Sequence, residues 1–162
     1  MKAFLKGFAY AWHGILAAVK AERNLRFHLC AAVFVWAFSG FYHLQRAEKL
    51  LLVILVFGVL SLEIINSALE RMVDEFSPGH SQRAGQIKDM AAGAVLVFCT
   101  GAVICGFLLF WDTAVFARVF AYFAQNPWRF VLLAAFGAAC ICFVFGGKNK
   151  CSNDNGHTQE KT

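Results

Sequence analysis

Four segments built around long apolar runs, residues 27–43, 50–74, 87–111 and 128–145, leave this chain few ways to fold. A helix needs about 20 mostly apolar residues to cross roughly 30 Å of hydrocarbon. Backbone amides in that medium have no water to bond, and a helix satisfies them within the segment. Composition agrees: 59% of residues are hydrophobic, 15% are charged, and the mean hydropathy is +0.58. A soluble domain is about a quarter charged, so a water-soluble core is excluded. The sequence predicts an all-α integral membrane protein.

Residues 1–25 read differently. Phe4, Leu5, Phe8, Trp12, Ile15, Leu16 and Val19 recur at helical spacing, with Lys2, Lys6, Tyr10, His13 and Lys20 around the rest. This is the pattern of a helix lying on anionic lipid; the alternative is an amphipathic helix packed on its own protein. Lys6, His13 and Lys20 interrupt the first apolar block, so no secretory signal is expected. A polar loop, Glu75–Gln86, holds Ser77-Pro78-Gly79 and reads as a turn. Residues 113–126 form a second interfacial segment, Asn126-Pro127 breaks it, and a polar tail, 148–162, is expected to be disordered. With both termini in the cytoplasm, inside segments hold eleven Lys and Arg and outside segments four. That bias is the positive-inside pattern. The net charge of +5 is thereby spent on topology, and no nucleic-acid partner is expected.

Within this apolar frame, the end of the second span carries Glu63, Asn66, Glu70 and Asp74. Their spacing puts all four within about 80° of arc on one helix face. Ionisable groups at membrane depth are costly and mark function by default. Glu63 lies deepest, and Glu70 follows about 10 Å further along the axis. The two carboxylates are too far apart to share one small ion, and their surroundings differ. A poorly hydrated carboxylate accepts a proton readily, while one near water and cations stays ionised and suits Mg²⁺. A reaction between a lipid alcohol and a nucleotide needs that division. Lys88-Asp89, at the mouth of the third span, adds a cation for phosphate and another acid; Glu22, Arg23 and Arg26 close the surface helix at the same level. No P-loop, kinase glycine-rich loop, HRD or DFG string is present. The six cysteines form no CxxC pair, five of them lie inside apolar runs, and they read as inert thiols.

The strings Glu63-Ile64-Ile65-Asn66-Ser67-Ala68-Leu69-Glu70 through Asp74, Lys88-Asp89-Met90-Ala91-Ala92-Gly93, and Glu22-Arg23-Asn24-Leu25-Arg26 resemble those of the small prokaryotic diacylglycerol kinase family, which includes undecaprenol kinases. The resemblance covers about residues 4–111. It implies a bacterial inner-membrane lipid kinase, residues 1–112, with an amphipathic surface helix, a three-helix transmembrane core, and active sites shared within a homotrimer. It further implies Glu63 as catalytic base assisted by Asn66, Glu22 and Glu70 on the Mg²⁺ of ATP, and Lys88, Asp89, Tyr10, Gly79, His80 and Ser81 at the nucleotide. Glu63 and Arg26 would meet the lipid alcohol. The loop Glu75–Ser81 lacks the Tyr-His pair common in relatives, which puts its nucleotide contacts in doubt. The C-terminal span, within 113–147, is extra to the family. Competing expectations are a small ion or proton transporter with an acidic relay, and a non-catalytic membrane assembly protein.

Overall fold

A computed structural model of the protein describes residues 2–77 and 81–146, with side chains from residue 4 onward. The chain is all-helical there: α1 (Lys2–Ala21), α2 (Arg23–Ser39), α3 (Arg46–Phe76), α4 (Gln82–Phe110), α5 (Thr113–Ala124) and α6 (Trp128–Phe145). Gly79, His80 and the 148–162 tail lie outside the described residues.

Three helices, α3, α4 and α6, are long and apolar enough to cross a membrane. Helix α2 is displaced from the expected first crossing and not shortened: its 17 residues start at Arg23 and stop at Ser39 instead of running to residue 43. Its end tightens because the amides of Gly40, Phe41 and Tyr42 turn back to carbonyls three residues earlier. Tyr42 then donates its hydroxyl at 2.7 Å to the Phe110 carbonyl, which also accepts the Asp112 amide, and so ties the end of α2 to the end of α4.

The expected continuous helix over residues 1–25 is also corrected. Glu22 is extended, with φ −99° and ψ 118°, and separates α1 from α2. No proline or glycine breaks the chain there; tertiary contacts do. Leu25 is 1% exposed, Ala18 is buried, and the Arg26 guanidinium donates to the Lys20 carbonyl at 3.2 Å across the corner.

The helix starts are set by local chemistry. Gln45 and Glu48 form a reciprocal capping box at α3, with the Gln45 amide 2.6 Å from the Glu48 carboxylate. Ser81 caps α4 by accepting the Ala84 amide at 3.1 Å, and Asp112 caps α5 by accepting those of Ala114 and Val115. The tightest pairing is α3 against α4, where Gly58 lets the Phe98 ring lie on its backbone; a Cβ at residue 58 would collide with that ring.

Chain direction places the ends. Helices α2, α3, α4 and α6 run alternately, so the α1–α2 corner, the end of α3, the start of α4 and the end of α6 share one face of the bundle. The α2–α3 turn and α5 share the other.

Candidate active site

Burial in this chain is unusual in kind. Among the described residues eleven are buried, and four of those are polar or charged: Arg26, Glu63, Asn66 and Ser67. Three of them stand within five residues of α3. Buried polar groups are normally few and partnered, so this segment marks the site.

Glu63 is 4% exposed. Asn24, Glu70 and Glu22 are its polar neighbours. Ser67 donates its hydroxyl to the Glu63 carbonyl at 2.8 Å, a back-bond one turn along the helix. Asn66 donates from Nδ2 to Glu70 Oε1 at 2.9 Å, while its Oδ1 is buried without a partner. Glu22 meets α3 from the α1–α2 corner: Arg71 donates to Glu22 Oε1 at 3.3 Å. The three carboxylates of Glu22, Glu63 and Glu70 are thus gathered at one end of the bundle by two elements 41 to 48 residues apart in sequence.

Other expected residues fall into place less directly. Lys88 forms an ion pair with Asp74 across the α3–α4 hairpin, and Asp89 is exposed beside it. Ser81 uses its hydroxyl to cap α4. Tyr10 is 73% exposed on α1. Arg26 is buried in the corner, bonded through Nη1 to Lys20, with Nε unpartnered. Two polar residues at the site were not assigned a role from sequence: Asn24, whose only signal is its place in the Glu22–Arg26 string, and Arg71, which directly follows Glu70.

Among the described residues no three His, Cys, Asp or Glu side chains form a ready-made metal cage. This donor set still fits Mg²⁺, which takes one or two protein carboxylates and completes its shell with phosphate oxygens and water. Glu22 and Glu70 each have one oxygen engaged by a neutralising or orienting partner and a second free to ligate.

Comparison with known proteins gives the family of the chain. A family model described as prokaryotic diacylglycerol kinase matches residues 9–110, which run from within α1 to the end of α4. The undecaprenol kinase of Bacillus subtilis is 38% identical over 107 residues, covering 66% of this chain and 87% of that protein. The diacylglycerol kinase of Escherichia coli K12 is 31% identical over 108 residues, covering 67% and 88%. That of Synechocystis is 37% identical over 103 residues, and this chain spans 59% of its length. Helices α5 and α6 lie beyond the matched stretch. With the matched region containing every helix that supplies a gathered carboxylate, the chain belongs to the prokaryotic diacylglycerol kinase family and is a lipid kinase carried on membrane helices.

Proposed function

We propose that this protein transfers the γ-phosphoryl group of ATP to the hydroxyl of undecaprenol or diacylglycerol, with Glu63 as the general base. The observation that carries this reading is a buried Glu63 carboxylate beside Asn24, one turn from the Asn66–Glu70 pair. The lipid hydroxyl gives its proton to Glu63 as its oxygen bonds to the γ-phosphorus; the bond from that phosphorus to the β–γ bridging oxygen breaks, and ADP leaves. Phosphoryl transfer asks mainly for positioning and charge neutralisation. Asn66 bonds Glu70 and Arg71 pairs with Glu22, which fixes one oxygen of each carboxylate and leaves the other for a ligand. Glu22 and Glu70 would hold Mg²⁺, whose chemistry there would be neutralisation of charge on the ATP phosphates. Arg26 keeps Nε for the lipid oxygen. Lys88 and Asp89, with Tyr10, Gly79, His80 and Ser81, are assigned to the nucleotide.

The same reading places α1 on the membrane surface and the α2, α3, α4 and α6 helices across it. The carboxylate face and both termini are cytoplasmic, where ATP is found, and three copies assemble with shared sites. The 31 residues of α3 extend about 46 Å, so the helix outruns the hydrocarbon and leaves Glu63 within it while Glu70 and Asp74 reach the interface.

Purified protein in mixed micelles with Mg-ATP should phosphorylate one of the two lipids. A positioned base contributes roughly 10²–10⁴-fold, and Glu63→Gln should lose that much kcat while still binding ATP. Full turnover by the variant on both lipids would remove Glu63 from the mechanism.

A further inference from the structure

Outside the family match, α6 lies antiparallel along α2. Two contacts set its register. The Arg23 guanidinium sits over the Phe145 ring at 5.7 Å, and the Phe34 ring meets Phe136 edge-on at 4.9 Å, with Cys30 and Cys140 lining the space between the helices. Between these contacts the helices do not close. Ala31 and Gly137 are small, and a groove of about 690 Å³ opens between the two helices. Helices that serve only to brace each other interlock to crystal-like density. These two leave a space large enough for hydrocarbon, walled by carbon and sulfur except at one end. A space walled in this way does not hold ordered water.

The polar end is formed by Arg23 and Asn24. Asn24 is also a polar neighbour of Glu63, which puts the polar end of the groove on the side of the proposed base. We propose that it seats the hydrocarbon tail of the lipid alcohol, with the hydroxyl at Asn24 and Glu63. This rests on the assignment of Glu63 above and extends it to the substrate's other end. The asymmetry of the groove matches that of the ligand: apolar along its length, polar at its tip. Arg23 supplies the charge complement for the phosphate that the lipid carries after transfer. An appended helix thereby becomes one wall of the substrate site.

The test is a Gly137→Phe variant of the full chain. A Cβ at Gly137 meets nothing within 4 Å, so the ring enters open space and fills the groove. Ala31→Leu narrows the same groove from α2 and serves if the first variant does not fold. Ala139→Phe, on the opposite face of α6, is the control. KM is measured in mixed micelles for whichever long-chain lipid the wild type phosphorylates, for a short-chain analogue of it, and for ATP. The groove predicts that KM for the long-chain lipid rises about tenfold or more, with the short-chain lipid and ATP within about twofold. The control should match the wild type. An unchanged long-chain KM overturns the groove while leaving the kinase reading intact. So does an equal loss with short and long chains, or a variant that merely dissociates the oligomer. Failure of the wild type to phosphorylate either lipid overturns the Glu63 assignment first, and the groove with it.

Discussion

At the scale of single residues, the pairing of Lys88 with Asp74 separates two roles that one side chain can play. Asp74 is 68% exposed in its side chain, and an ion pair at such a surface contributes about 0–1 kcal/mol. If Lys88 serves the nucleotide, Asp74→Asn should leave the thermal midpoint and KM for ATP nearly unchanged, whereas Lys88→Met should raise that KM about tenfold or more. Equal effects of the two variants on KM would reduce Lys88 to a tether between helices. The face shared by Glu63, Asn66, Glu70 and Asp74 was legible in the sequence because helical periodicity alone lines them up. Asn24 beside Glu63 and Arg71 on Glu22 were not legible. Each joins positions 39 to 49 residues apart, and no local spacing encodes a contact between elements.

At the scale of elements, long apolar runs announced α3, α4 and α6, while the limits of α1 and α2 escaped. The break at Glu22 has no breaker residue; it follows from burying Leu25 and from Arg26 bonding back to Lys20. The early end of α2 follows from three amides choosing nearer carbonyls and from Tyr42 reaching across to α4. Where α3 meets α4, Gly58 gives a prediction with a change of sign. Alanine in a helix interior gains about 1 kcal/mol over glycine, but a Cβ here strikes the Phe98 ring. Overpacking of this kind costs about 1–3 kcal/mol. Gly58→Ala should therefore lower the melting midpoint of the purified protein. In a Phe98→Leu background, where the ring is gone, the same substitution should raise it. Stabilisation by Gly58→Ala in both backgrounds would show that this contact does not govern the pairing.

At the scale of the whole molecule, alternation of four helices brings the α1–α2 corner and the end of α6 to the same face of the bundle. Green fluorescent protein fused after Gly146 should fluoresce, and alkaline phosphatase fused near Gln125 should be active, since the first folds in the cytoplasm and the second outside it. The reverse pattern would invert the proposed topology. One dimension of this architecture reaches beyond the protein. With 17 residues, α2 is about 25 Å long, against roughly 30 Å for a typical hydrocarbon layer. With α2 across the bilayer as proposed, surrounding acyl chains shorten their reach beside it, at a cost of fractions of a kcal/mol per ångström. Vesicles made from 14-carbon phosphatidylcholine should therefore host the enzyme with a higher melting midpoint than vesicles made from 22-carbon chains, an ordering that calorimetry on the two preparations would reveal.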